Sequence, residues 1–355
     1  MELDLKQNWP APINPKPVVI VGAGGIVRDA HLPAYKLADI PVRGVTDLVP
    51  ARSKSLADDF NIPGTYSSVA EVVAQCGTDV VYDVAVPPHA ITDILPVLPD
   101  LAAVLIQKPM GSDLAHAREI RDLCRQKRLK SAINFQLRYS PMMLAVKDAV
   151  ENGRLGELLE IEVHLNIYTP WHIFPFLIPM ERVEFAVHSI HYLDTIRAIA
   201  GNPNGVFART MPDPRAPQLA QTRSSVILDY GDRLRGVISI NHNHQGGRKF
   251  QSAWTRFEGT KGAMMAKLGV LYDYPNGEPD ELWFCQNGSD WQQIPLIGNW
   301  FVESFMGPMR NLQRFDSGED EKLYTSTDDA YETMALVEAC FSSAQLPGNE
   351  LILDD

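Results

Sequence analysis

Apolar runs alternate with helical spacing along the first 150 residues of the chain. Residues 17–22, PVVIVG, are rich in β-branched side chains and end on glycine, which predicts a buried strand. Helical periodicity over 25–36 follows, then a strand over 42–46 and a helix over 51–60. Strands over 80–86, 104–106 and 131–133 repeat the theme, with helices over 91–98 and 114–127 between them. Strands alternating with helices predict a parallel, doubly wound sheet. A helix over 142–151 closes this region and stops at Asn152-Gly153.

The period then changes. Residues 157–168 alternate apolar and polar positions, the mark of a half-exposed, antiparallel sheet. A loop rich in proline and aromatics spans 169–180, and a helix is predicted over 182–200, ending at Gly201. Further strands are predicted over 206–210, 224–229, 234–243 and 252–258, and closing helices over 304–315 and 327–343. The reading is an α/β chain with two domains. Residues 1–150 form a Rossmann dinucleotide-binding domain behind an extended leader (1–16), and 151–355 form a substrate-binding and oligomerisation domain with a large, mainly antiparallel open sheet.

Composition narrows the function classes. A net charge of -12 over 355 residues, with no basic run, sets the chain against nucleic acid and acidic membranes as partners. The four cysteines (Cys76, Cys124, Cys285 and Cys340) form no CxxC pair, so reduced thiols are expected. The polar, proline-rich start does not read as a signal peptide, and no run of about 18 apolar residues suggests a membrane span. The cytoplasm is the expected location.

Candidate chemistry begins at Gly22-Ala23-Gly24-Gly25-Ile26-Val27, between the first strand and the first helix. Glycines there let the backbone turn tightly and approach a pyrophosphate, which sits on the helix N-terminal amides. Val27 occupies the third glycine position of the usual fingerprint. Asp47 follows the second strand, where a carboxylate accepts hydrogen bonds from the adenosine ribose and repels a 2′-phosphate. NAD is therefore expected over NADP, although Arg52 and Lys54 lie nearby and could serve a phosphate. Val86, Pro87 and His89 end the third of these strands, and Gln107-Lys108-Pro109 ends the next. Ligands of open parallel sheets sit beyond such strand ends.

With these motifs in order, the chain resembles the glucose–fructose oxidoreductase, inositol dehydrogenase and rhizopine-catabolism (Gfo/Idh/MocA) family from Val18 onward. VVIVGAGGIVRDAHLPAY, VAVPPH, QKP (Gln107 replacing a glutamate), NFQLRYSP, HYLDTIRAIAG, FEGTKGAM and the closing STDDAYETMALVEACFSSAQ carry the resemblance. It implies that Lys108, often preceding a cis proline in the family, contacts the nicotinamide ribose and a substrate hydroxyl. It implies that His191 is the catalytic histidine, with Asp194 and Arg197 structural. Val187 departs from the pattern, since inositol dehydrogenase-like members carry aspartate there. A sugar or polyol substrate also follows from the resemblance alone.

The residues themselves offer a substitute for that aspartate. On a regular helix Glu184, His188 and His191 share one face, where they could relay a proton or hold a metal. No metal is expected, because hydride transfer does not need one. His242 and His244 share a sheet face on the predicted strand and suggest a surface or interface in preference to a metal site, the alternative reading. Trp171 and His172 are candidates to line a sugar pocket, and Asn134 and Gln136 to touch nicotinamide or substrate. His31, His116 and His164 carry no functional argument. The mechanism expected is reversible hydride transfer between a carbinol carbon and nicotinamide, with Lys108 polarising the hydroxyl and His191 taking its proton. Glu184 or His188 would tune that base, and His188 is the alternative base. A non-catalytic dinucleotide sensor and an NAD-dependent glycoside-cleaving enzyme are the competing readings. A homodimer or homotetramer through the second sheet is expected, because too few helices follow to cover both its faces.

Overall fold

The computed structural model describes residues 4–274 and 276–350. Six parallel strands form the first sheet: β1 (Val18–Val21), β2 (Val42–Thr46), β3 (Gly64–Tyr66), β4 (Val81–Val84), β5 (Ala103–Ile106) and β6 (Lys130–Ile133), in spatial order β3-β2-β1-β4-β5-β6. The strand order reverses beside β1, between β1 and β4, and that switch point is where such sheets open a ligand crevice. Helices α1 (Leu32–Leu37), α2 (Pro50–Phe60), α3 (Val69–Cys76), α4 (Ile91–Ile94) and α5 (Leu114–Gln126) connect them. Alternation within β1 sends Val18 and Ile20 into one core and Val19 and Val21 into another, so the sheet is buried on both faces.

After α6 (Pro141–Glu151) the chain builds an eight-stranded sheet: β7 (Leu158–Asn166), β8 (Gly205–Met211), β9 (Arg223–Asp229), β10 (Arg235–Asn241), β11 (Ser252–Gly259), β12 (Gly262–Lys267), β13 (Glu281–Gln286) and β14 (Gln292–Ile294). Its order is β14-β13-β12-β11-β7-β10-β9-β8, and every pairing is antiparallel except β7 with β10. The covered face, with Ile161, Val163 and Leu165, joins the core of the first sheet under α6, α7 (Ile190–Ala200) and α9 (Thr327–Ala344). Met309 and Leu312 of α8 (Met306–Ser317) return to the opposite core of the first sheet. Among the described residues no helix is long and apolar enough to cross a membrane.

The two-sheet α/β architecture is the one the periodicity predicts. Two local features differ. The helices predicted over 25–36 and 182–200 both open as π-turns, Val27–His31 and Glu184–Ser189, before regular α-helix begins. Both turns border the crevice, and each carries a histidine. The strands β3, β12, β13 and β14 were not distinguished in the sequence, since they are short or flanked by glycine and polar residues that blur a period-two signal.

Candidate active site

The glycine turn closes on the end of the neighbouring strand. Gly22 has φ +106, its N–H donates to the Thr46 carbonyl at 2.8 Å, and a Cβ there would run into the Ala85 carbonyl oxygen. Only glycine tolerates that backbone and that approach. Around Gly24 nothing lies within 4 Å of where a Cβ would stand, so the turn presents bare backbone to the crevice. Gly25 is exposed, Ile26 lines the cavity, and Val27 buries its side chain in the core while its N–H bonds the Gly24 carbonyl at 3.1 Å. Asp47 holds the Ala23 and Val49 N–H groups, each at 2.8 Å, with opposite carboxylate oxygens. Each oxygen keeps a second lone pair for a ribose hydroxyl. Arg52 is exposed in the first turn of α2; Val86 is half-buried against Gly22, and Pro87 and His89 are exposed. The bare turn, the anchored carboxylate and the helix start behind them fit a dinucleotide.

Beneath the crevice lies a buried network that sequence reasoning missed. His31 Nδ1 stands 2.7 Å from Asp83 Oδ2, which also accepts from the Tyr35 hydroxyl at 2.7 Å. On its other side His31 Nε2 lies 3.2 Å from both Gln107 Nε2 and Asn134 Nδ2. Two amide donors make Nε2 the acceptor, which puts the proton on Nδ1 toward Asp83. Gln107 Oε1 accepts from the Lys108 N–H at 2.8 Å, whereas Asn134 Oδ1 and Gln136 Oε1 are buried with no partner. The signal was available: Asp83 is a carboxylate inside the otherwise apolar run VVYDVAV.

Between the sheets a cavity of about 230 Å³ is lined at one end by Gln107, Lys108, Gln136, His188, His191 and His242. Phe174, Phe176, Leu177, Tyr168, Tyr274 and Trp300 form its apolar walls. The Lys108-Pro109 peptide is cis, and Lys108 Nζ donates to the Val187 carbonyl at 2.9 Å, inside the π-turn. Burial pushes the Lys108 ammonium down to about 8. Burial, then the electrostatic influence of Lys108 and of the neighbouring His188 ring, hold His191 well below the usual imidazole range, and its Nδ1 has no partner. The His191 ring packs edge-on to Trp300 with centroids 5.8 Å apart.

Glu184 is fully buried. Burial raises its carboxyl, but the His242 and His188 imidazoles and the Ser189 hydroxyl outweigh that and leave it below the ordinary glutamate value. Its Oε2 lies 3.5 Å from His188 Nδ1 and 3.5 Å from His242 Nε2. The shared face predicted for Glu184, His188 and His191 is therefore only half realised. The π-turn keeps Glu184 against His188, and His242 takes the place expected of His191. The surface reading of His242 is overturned. Strand β10 ends at Asn241, whose side chain accepts from the Asn243 N–H at 3.0 Å, and His242 continues the inward alternation of Gly236, Ile238 and Ile240. His242 is buried, and burial, reinforced by His188, pushes it down to about 3. His244 departs toward Asn166 instead, at 3.0 Å.

Trp171 packs behind both imidazoles, at 5.7 Å from His188 and 5.6 Å from His242, and donates to Asn243 Oδ1 at 2.7 Å. It buttresses these rings and does not line the cavity, while His172 is exposed outside it. Asp194 and Arg197 anchor α7. Asp194 takes a bidentate pair from Arg138 at 2.6 Å and a hydroxyl from Thr333 at 2.7 Å, and Arg197 donates to the same hydroxyl at 2.7 Å.

A Rossmann crevice opening onto a lysine and histidine in one cavity defines a dinucleotide-binding oxidoreductase. The comparisons agree. A family model described as "Oxidoreductase family, NAD-binding Rossmann fold" matches residues 16–135, and one described as "GFO/IDH/MocA C-terminal domain" matches 143–265. The chain belongs to the GFO/IDH/MocA oxidoreductase family. It is 25% identical to a D-apiose dehydrogenase of Rhizobium rhizogenes over 85% of this chain and 88% of that enzyme. It is 24% identical to a 1,5-anhydro-D-fructose reductase of Ensifer adhaerens over 78% and 82% of the two chains. The fold is shared with an oxidoreductase from Agrobacterium radiobacter, solved in complex with NAD+, L-tartaric acid and magnesium, at a TM-score of 0.77 and 21% identity over 93% and 96% of the chains.

Proposed function

We propose that the protein is an NAD-dependent dehydrogenase that oxidises a secondary hydroxyl of a sugar or polyol, reversibly. The observation that carries this reading is the convergence of Lys108 and His191 on one cavity at the end of β5, beside the glycine turn. Bound NAD would supply the hydride acceptor, held by the Gly22–Gly25 backbone, Asp47 and, through its unpartnered carbonyl, Asn134. Lys108, withdrawn from water, directs its ammonium at the hydroxyl oxygen and stabilises negative charge there. His191, kept neutral at pH 7 by its surroundings, takes the hydroxyl proton at the unpartnered Nδ1. Gln136 Oε1 is a free acceptor for a second hydroxyl, and the aromatic walls suit the C–H faces of a sugar ring.

Dehydrogenase and reductase relatives named for D-apiose and 1,5-anhydro-D-fructose support a sugar-like substrate. The test is a panel of sugars and polyols with NAD and NADP, read by the absorbance of the reduced nicotinamide. Turnover with at least one polyol and NAD is expected. Tight NAD binding with no turnover across the panel would instead favour a dinucleotide sensor.

A further inference from the structure

Three buried polar atoms meet at the wall of the cavity without any hydrogen-bond partner: Glu184 Oε2, His188 Nδ1 and His242 Nε2. All lie within 4.8 Å of one another, and the carboxylate oxygen stands 3.5 Å from each nitrogen. Leaving one such atom unsatisfied costs about 1–3 kcal/mol, so three at a single point call for a common partner. Donors bound to one ion at about 2.0–2.1 Å and tetrahedral angles stand about 3.3 Å apart, close to the two oxygen–nitrogen separations found here. The far sides of Glu184 and His242 are already held. Ser189 and Ser224 donate to Glu184 Oε1 at 2.8 and 3.2 Å, and Thr169 Oγ1 lies 3.0 Å from His242 Nδ1. Outer contacts of this kind orient ligands and free one defined atom of each for an ion.

We propose that Glu184, His188 and His242 bind one divalent transition-metal ion of the zinc class, with its open position toward the cavity. Two imidazoles and one carboxylate suit zinc or cobalt, whereas magnesium and calcium demand more oxygen donors. His188 and His242 line the cavity and Glu184 lies wholly behind them, so a further ligand arrives from the substrate side. The ion holds an oxygen of the substrate there, a role that rests on the dehydrogenase reading; ion binding itself does not. The proposal departs from the expectation of no metal, because its third donor comes from beyond β10 and not from the helix.

The full chain is stripped with a chelator, dialysed and titrated with Co²⁺, following visible d–d absorption. Zinc retained after reconstitution is counted by elemental mass spectrometry. One equivalent per chain is expected, with low-coordinate cobalt bands. His242→Ala and Glu184→Gln should weaken cobalt binding by at least about tenfold, since even outer-contact losses cost that much. Thr169→Val, which keeps every donor, should weaken it while leaving the fold intact by circular dichroism. Absent bands, or titrations unchanged in all three variants, overturn the site. Turnover is scored separately. A stoichiometric metal in a protein that oxidises no polyol removes the dehydrogenase reading and keeps the site. Full polyol turnover by protein proven free of metal overturns the ion's role toward substrate.

Discussion

Lys108 and His191 have opposite protonation needs, and their surroundings meet both. Oxidation needs His191 neutral and Lys108 charged. His191 lies well below its usual range and Lys108 at about 8, so both conditions hold across neutral pH. The rate, kcat/KM against pH, should stay flat through 6.5, where an ordinary imidazole would already titrate, and fall above about 8 as the Lys108 ammonium loses its proton; its acid limb lies below the usual imidazole range. Lys108→Arg should move that falling limb upward by more than one pH unit. A rate that instead rises through 8 would make Lys108 the base. Both Lys108→Ala and His191→Ala should lose turnover by about 10² to 10⁴-fold, the usual cost of an acid–base group. NAD binding, measured by fluorescence titration, should survive, because the glycine turn is untouched. Asp47→Ala should weaken NAD by about tenfold and narrow its margin over NADP, since the carboxylate facing the 2′ position is gone. Unchanged NAD affinity in that variant would remove Asp47 from the cofactor site.

Among the elements, α7 and the π-turn before it position the site. The π-turn places the Val187 carbonyl against Lys108 and seats Glu184 beside His188, and such turns gather at functional sites. The helix is tied to α9 by the Arg138–Asp194 pair, which Asp329 also joins at 2.7 Å. Asp194→Ala strands the buried Arg138 guanidinium, and breaking such a pair costs about 3–5 kcal/mol. With Asp329 still beside it, the loss should fall near the lower figure. Urea unfolding checks this, and a change under about 1 kcal/mol would contradict the role given to the pair.

For the whole molecule, the open face of the second sheet is the feature that asks for a partner. Phe207 and Ile227 pair across β8 and β9 and remain 67% and 51% exposed, and the row continues through Val237, Glu162, Arg256, Met265 and Trp283. Exposed apolar patches of this kind mark interfaces. A dimer or tetramer is expected by light scattering at micromolar concentration, dissociated by the double change Phe207→Asp and Ile227→Asp. A monomeric wild type would end the idea.

Local physics wrote much of this protein into its sequence. Continuous apolar runs announced β1 and β4, because a sheet covered on both faces needs apolar residues throughout. The Gly22–Gly25 turn and Asp47 were legible because their tasks depend on backbone freedom and on a position next to a strand end. Lys108 was legible from its place at a strand end and His191 from its helical spacing, their catalytic roles only from the family's motifs, and the structure brings them to one cavity. Tertiary structure alone decided the rest. Whether a buried polar group is neutral, charged or unpartnered depends on what a distant segment places beside it. His31, on the first π-turn, finds Asp83 on β4, and His242, one residue past β10, meets Glu184 on the second π-turn. No periodicity reports such meetings, because their energy lies in contacts between segments and not in the pattern within any one of them.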